Sequence, residues 1–150
     1  MTKLYLVRHA EAEGNLYRRM AQRFAGIHVD AVYSSDLFRT RTTARAIYEH
    51  KGLPLTTRKS LREVAMGAWE DRTWGEVART DVQQLSWFNA TDRRWQVEGG
   101  ESFETLRTRI SAAVRQIAHN HPNETVAVVS HGTAIRNALA VFQGLSIEES

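Results

Sequence analysis

The chain has 150 residues, of which 42% are hydrophobic and 25% are charged, proportions typical of a single soluble globular domain. It contains no cysteine, which excludes disulfide bonds and thiolate metal sites, and its net charge of +3 without a basic run argues against nucleic acid as a partner. No apolar run approaches the roughly 20 residues of a membrane span. No signal peptide is recognisable, so we expect a cytoplasmic protein with no membrane partner.

The chain opens with a predicted strand that ends in two basic side chains. Residues 3–7 are mainly apolar, as in a buried strand, and Arg8 and His9 follow directly. In open α/β sheets the functional groups lie beyond the carboxyl ends of the strands. Arg8 and His9 are therefore the first candidate site residues.

A helix, a strand and a second helix are predicted next. After Asn15, apolar residues recur at helical spacing. These residues are Leu16, Met20, Phe24 and Ile27. Residues 30–33 predict a second strand, and the Ser-Ser-Asp sequence at 34–36 predicts the N-cap of a helix that runs to about His50.

The middle of the chain has a weaker pattern. Residues 55–57 predict a third strand, whereas 60–69 are irregular and predict a loop. Thr73 and Glu76 have the spacing of a capping box, which predicts a helix start. Residues 83–97 have no clean period, so we make no prediction for them.

The last third of the chain has the clearest periodicity. Ser102 predicts the N-cap of a helix with one apolar face. That face carries Phe103, Leu106, Ile110, Ala113, Val114 and Ile117. Residues 125–129 predict another buried strand, which leads to His131, and Gly132 starts a final helix. We expect Ile135, Leu139 and Phe142 to face inward on that helix.

Strands that alternate with helices predict an α/β fold, a three-layer α/β/α sandwich with a mostly parallel central sheet. In such a sheet, His9 and His131 each follow a strand at the same edge. We therefore expect the two histidines to face each other across one crevice.

These residues suit phosphoryl transfer. A histidine can act as the nucleophile, and the transferred group needs positive charge around its three oxygens. His9 is the candidate nucleophile, and Arg8 and Arg39 are the candidate cations. His131 is a second candidate phosphate clamp.

Two further kinds of group complete this hypothesis. Asn15 and the amide region of Gly132 are candidate N–H donors to the phosphate. Glu63, in the irregular loop, is the candidate acid that protonates the leaving group.

Each candidate has an alternative interpretation. An Arg-His pair after a strand is often a solvated strand end, and Arg39 alone is more often a surface residue. The four tryptophans, at 69, 74, 87 and 95, could line a substrate mouth or pack a small cap region on the sheet. His119 and His121 could suggest a metal, but they lack nearby carboxylates and are better explained by contacts with helix-terminal carbonyls. The glycine-rich nucleotide-binding motifs are missing.

Five blocks, in order, resemble the motifs of the histidine phosphatase superfamily, the phosphoglycerate mutase-like proteins. They are Leu6-Val7-Arg8-His9-Ala10-Glu11, residues 33–40 (YSSDLFRT), Leu61-Arg62-Glu63 followed by residues 67–70 (GAWE), Gly99-Gly100-Glu101-Ser102, and Val129-Ser130-His131-Gly132. Together the blocks cover nearly the whole chain, so that residues 1–150 are identified as one histidine phosphatase domain.

The resemblance implies a phosphohistidine mechanism with no metal and no cofactor. It makes His9 the nucleophile and Glu63 the proton donor. It makes phosphate ligands of the remaining site residues, which are Arg8, Arg39 and His131, with Asn15 assisting.

The chain departs from the family pattern at three places. Ala10 and Ala12 replace the usual Gly and Thr, and the second change removes a hydroxyl from the site. The segment after Asn15 is shorter than usual, and family members continue beyond the position of Ser150. Either the protein is naturally short after Asn15 or a loop near 16–22 is missing from this sequence, and we expect a disordered or missing C-terminal tail.

Between the family's two reaction types, the sequence favours a phosphatase. Mutases typically carry a large insert after the glutamate block, but only 35 residues separate Glu63 from Gly99 here. We expect a phosphomonoesterase that acts on small phosphorylated metabolites, as a monomer or a homodimer. The alternatives are a phosphoglycerate mutase-type transfer and a catalytically weak member that binds phosphate ligands.

Overall fold

The computed structural model describes residues 1–9 and 14–150, with side chains described up to residue 9 and from residue 16 onward. Four strands form one sheet: β1 (Lys3–Arg8), β2 (Ala31–Ser34), β3 (Leu55–Thr57) and β4 (Thr125–Ser130). Six α-helices accompany them in the described ranges: α1 (Gly14–Ala25), α2 (Phe38–Tyr48), α3 (Trp74–Thr80), α4 (Val82–Asn89), α5 (Phe103–Asn120) and α6 (Gly132–Phe142). Single turns of 3-10 helix occur at Glu49–Lys51, Lys59–Leu61 and Gly67–Trp69.

All described strand pairs are parallel, and the strand order is β1-β4-β2-β3. The first and last strands in sequence are therefore neighbours in space. Val7 pairs with Val129 and Arg8 with Ser130, and the His9 amide extends the ladder by donating to the Ser130 carbonyl at 2.9 Å. The sheet thus brings the residues that follow β1 and β4 to one point on its carboxyl edge.

The two faces of β4 are buried under different helices. Val126 and Val128 belong to a core that includes Leu106 and Ile110 of α5. Ala127 and Val129 belong to a second core with residues of α1 and α2, namely Phe24, Ala44 and Ile47. Helices cover both faces, which confirms the predicted three-layer sandwich.

The prediction of which α6 residues face inward is wrong. Leu139 and Phe142 are 42% and 43% exposed. The buried residues are Ala134, Asn137, Ala138 and Ala140. Small side chains allow α6 to pack closely in the core, because the distance between packed elements depends on the side chains at the contact. Side-chain hydropathy alone therefore assigns the wrong face.

Two local predictions also differ from the structure. Residues 34–36 do not cap α2, because its N-cap is Leu37 and no side chain accepts a hydrogen bond there. The side chain of Ser35 is buried and used in the site instead. Helix α4 was not predicted, and it buries no residue fully, which explains its weak period.

Aromatic residues within 69–95 pack against one another and against Phe103 at the start of α5. Trp69 and Trp95 are buried and lie in edge or tilted contact with Phe88 and Phe103, with ring centroids 4.9 to 6.0 Å apart. For these two tryptophans, the structure favours packing over a substrate mouth. Trp74 is 55% exposed and stacks on Phe88.

None of the helices in the described part of the chain combines the length and the apolar character needed to cross a bilayer.

We expect Gly67→Ala to lower the free energy of unfolding by about 2 kcal/mol or more. Gly67 has a φ of +52°, and an added Cβ would lie 2.2 Å from the Glu98 carbonyl oxygen. Gly26→Ala is the matched control, because nothing lies within 4 Å of its added Cβ, and we expect a change below about 0.5 kcal/mol. Urea unfolding of both variants tests this, and equal midpoints would contradict it.

Candidate active site

The two predicted histidines lie together at the carboxyl edge of the sheet. Their ring centroids are 5.1 Å apart, with an angle of 63° between the ring planes. This follows from the β1–β4 register, which places His9 one residue beyond Arg8 and His131 one residue beyond Ser130. The expectation that the two rings lie together is met, but they do not face each other across a crevice, because His131 is buried and only His9 lines the described cleft.

His131 is held in place by the end of the neighbouring strand. Its side chain is fully buried, and its Nε2 lies 2.9 Å from the Ser35 hydroxyl oxygen. The same hydroxyl contacts the hydroxyl of Thr40, which is also buried. Within the described residues, His131 Nδ1 has no hydrogen-bond partner. One ring nitrogen is thus anchored by Ser35.

The environment of His131 favours the neutral ring. Burial, followed by the positive charge of Arg39 and the proximity of His9, lowers the pKa of His131 from its usual 6.5 to about 4. A neutral imidazole carries one N–H donor, so that His131 can offer a hydrogen bond near pH 7 without a formal charge.

Arg8 lies over the first turn of α6. A Cβ added to Gly132 would lie 3.2 Å from Arg8 Nε and 3.3 Å from its Cζ. The absence of a side chain at Gly132 therefore lets the guanidinium approach the helix N-terminus. A cation beside the positive dipole end of a helix forms a favourable place for an anion.

Arg39 is the second residue of α2, and its side chain is exposed. Its positive charge contributes to the low pKa of His131. Asn15 was predicted as a further phosphate ligand, and its side chain lies outside the described residues.

Glu63 also lies at the N-terminus of α6. One carboxylate oxygen accepts hydrogen bonds from the amides of Val64 and Ala134, both at 2.9 Å, and the other accepts from the amide of Thr133 at 3.0 Å. The acid from the irregular loop thus reaches the helix that begins after His131. Its predicted place in the loop is confirmed, but this capping contact was not expected.

A cleft of about 450 Å³ joins these groups. It is lined by Leu6, Arg8, His9, Glu63, Gly132, Thr133, Ile135, Arg136 and Leu139. Four predicted site residues line it directly, while His131 is buried behind His9. Arg136 was missed, although it lies one helical turn after Gly132 and that spacing could have revealed it. Ser35 was missed because its sequence pattern matched a helix cap.

Across residues 1–9 and 14–150, no group of three or more His, Asp or Glu side chains is arranged to hold a metal ion. His121 contacts the hydroxyl of Tyr33 through Nε2 and the carboxylate of Glu124 through Nδ1. These side-chain contacts replace the predicted contacts with helix-terminal carbonyls. The described cleft instead combines cations, a helix N-terminus and imidazole, which suits an anionic ligand.

A family model, the histidine phosphatase superfamily (branch 1), matches residues 17–150. The chain belongs to the histidine phosphatase superfamily. This confirms the resemblance to this family that the five sequence blocks carry.

Individual relatives support the same membership. Phosphoserine phosphatase 1 of Hydrogenobacter thermophilus is 29% identical over 168 residues, covering 99% of this chain and 80% of the relative. A Yersinia pestis protein named "probable phosphoglycerate mutase GpmB" is 30% identical over 165 residues, covering 97% of this chain and 76% of the relative. The solved structure of Bacillus stearothermophilus YhfR superposes with a TM-score of 0.92 at 26% identity, covering 99% of this chain and 83% of that one.

The low pKa of His131 makes stability depend on pH. The unfolded chain takes up a proton on this histidine near pH 6.5, whereas the folded chain does so only near pH 4. Between these values the unfolded state binds more protons, so we expect the contribution of His131 to the free energy of unfolding to fall as the pH is lowered. His131→Asn should remove this component. Urea unfolding between pH 7 and pH 4 measures it, and identical pH dependence in both proteins would contradict it.

Proposed function

We propose that this member of the superfamily hydrolyses small phosphate monoesters through a phosphohistidine intermediate on His9. One observation supports the proposal above the others. Two histidines lie with their ring centroids 5.1 Å apart, beside a cleft that also contains Arg8, Glu63 and the N-terminus of α6. This set contains a nucleophile, a cation, N–H donors and an acid.

The proposed reaction has two steps, formation of the phosphohistidine and its hydrolysis. In the first, a ring nitrogen of His9 attacks phosphorus, the P–O ester bond breaks, and Glu63 gives its proton to the departing alkoxide. In the second, Glu63 takes a proton from water, the resulting hydroxide oxygen attacks phosphorus, and the P–N bond breaks. The products are an alcohol and inorganic phosphate, and the enzyme returns to its starting state.

Positive charge and oriented N–H groups stabilise the transferred phosphoryl group. Arg8 and Arg39 supply the cations, and the α6 amide region at Gly132 supplies the helix terminus. His131 supplies a neutral donor, because its pKa is about 4. Asn15 stays a predicted fifth ligand.

Glu63 is suited to both proton transfers by its position. In the described state its carboxylate accepts three amide hydrogen bonds, which is the acceptor form required to take a proton from water. To act as the acid, it must direct a protonated oxygen into the cleft and give up one of these contacts. Its loop therefore has to hold the carboxylate between the helix terminus and the cleft.

Hydrolysis is favoured over mutase transfer by the short central segment. The 35 residues between Glu63 and Gly99 form one turn of 3-10 helix and the small helices α3 and α4, which leaves little chain to shield a phosphohistidine from water. The alternative is phosphoglycerate mutase-type transfer, because GpmB-named relatives match at 30% identity. A cytoplasmic location and a homodimer stay predictions.

The reaction is tested with a panel of phosphomonoesters in the presence of a chelator, together with conversion of 3-phosphoglycerate to 2-phosphoglycerate. We expect chelator-resistant hydrolysis without isomerisation. Efficient isomerisation would establish the mutase alternative. Vanadate binding without either reaction would establish a member that only binds phosphate ligands.

We expect Glu63→Gln to lower kcat/KM about 100-fold for an alkyl phosphate and less than about 10-fold for 4-nitrophenyl phosphate, because kcat/KM reports the first step, in which only the alkyl leaving group needs a proton. The ratio of the two rates isolates the acid role from any change at the α6 terminus. Glu104→Gln, at an exposed position on α5, is the control and should leave both rates unchanged. Equal losses on the two substrates would remove Glu63 from the acid role.

A further inference from the structure

One sequence block has no part in the chemistry proposed above. Residues 99–102 form the turn before α5, and they lie against the loop that carries Glu63. We propose that Glu101 and Arg109, which we call the loop clamp, are positioning residues that hold Glu63 for proton transfer. This inference rests on the proposed phosphatase function.

Arg109 binds the backbone of Glu63 and of the residues that precede it. Its Nη1 donates to the carbonyls of Ser60 at 2.8 Å and Arg62 at 3.0 Å, and its Nη2 donates to the carbonyl of Glu63 itself at 3.2 Å. One guanidinium therefore fixes three carbonyls of a segment that has no strand or α-helix to order it. The segment is tied directly to α5.

Glu101 completes the clamp from the adjacent turn. Its two carboxylate oxygens accept from Nε and Nη2 of Arg109, each at 2.8 Å. The second oxygen also accepts from the amide of Ala65 at 2.9 Å, and the Glu101 amide donates to the Ala65 carbonyl at 2.8 Å. The side chain of Arg109 is only 24% exposed and that of Glu101 only 15%, so this ion pair is less screened by solvent than a surface pair.

The turn and the loop also fit together sterically. A Cβ added to Gly100 would lie 2.7 Å from the Ala65 carbonyl oxygen. The Gly-Gly sequence therefore allows the turn to approach the loop closely enough for Glu101 to bond Ala65. The sequence block Gly99-Gly100-Glu101-Ser102 therefore has a structural role, contact with the loop, that the sequence alone did not indicate.

The opposite side of the loop contacts the end of β4 and the first turn of α6. The Ser130 hydroxyl donates to the Leu61 carbonyl at 2.6 Å, and the Glu63 carboxylate accepts from the first amides of α6. The carboxylate thus lies between α6 and a backbone that α5 holds. Proton transfer requires a distance within hydrogen-bond reach, so a shift of the backbone would slow it.

The clamp needs arginine rather than any cation. Arg109 makes five hydrogen bonds through three nitrogens that point in different directions. An ammonium group has three donors on one nitrogen and cannot reach the same set. Arg109→Lys therefore breaks the clamp but keeps the positive charge that contributes to the low pKa of His131.

The test compares Arg109→Lys and the milder Glu101→Gln with Arg115→Lys. Arg115 is an exposed residue on the same helix, over the ring of Phe142, and serves as the matched control. We measure kcat and KM for an alkyl phosphate and for 4-nitrophenyl phosphate, with vanadate inhibition as a report on the phosphate site. Circular dichroism confirms that each variant is folded.

For Arg109→Lys we expect kcat/KM, which reports the step that uses Glu63 as the acid, to fall about tenfold more on the alkyl than on the aryl substrate. Glu101→Gln should show the same preference to a smaller degree, and Arg115→Lys should show none. Vanadate inhibition should change less than about threefold in all three. Equal losses on both substrates, or a loss of vanadate affinity, would show a merely structural role and overturn the clamp. A wild-type protein that fails to hydrolyse either ester would instead overturn the proposed function, and the clamp with it.

Discussion

The parallel pairing of β1 with β4 is the constraint on which the site depends. It joins residues more than 120 positions apart in sequence, and its register places Arg8 opposite Ser130. His9 and His131 then leave the sheet at the same edge, and their rings meet. A one-residue slip would reverse the side of every β1 residue relative to β4.

The N-terminus of α6 brings together the guanidinium of Arg8 and the carboxylate of Glu63. Gly132 allows Arg8 to lie against this terminus, and the amides of Thr133 and Ala134 bind the Glu63 carboxylate. A cation and an acid are thus placed around the same helix dipole. The loop clamp extends this arrangement to α5, so that the acid is supported by a helix on each side. The functional loop owes its order to side chains from the scaffold rather than to its own secondary structure.

The sequence predicts much of this arrangement, for physical reasons. Buried strands produce short apolar runs, and α5 produces a clear helical period with a Ser102 cap that the structure confirms. The meeting of His9 and His131 follows from strand ends in a parallel sheet. Contacts between distant segments leave no such pattern. Ser35 resembled a helix cap but bonds His131, and the alanine face of α6 was hidden by its more hydrophobic exposed face. The amide contacts of Glu63 likewise depend on tertiary structure.

The central claim is that His9 carries the phosphoryl group. In the direct measurement, the enzyme reacts briefly with a phosphorus-32-labelled ester and the reaction is then stopped without acid. Peptide mapping locates the label on the protein. The account predicts a label that is stable in alkali, labile in acid and located on the peptide that contains His9. It also predicts no label in His9→Ala. Hydrolysis with a label on another residue, or undiminished turnover by His9→Ala, would contradict the account.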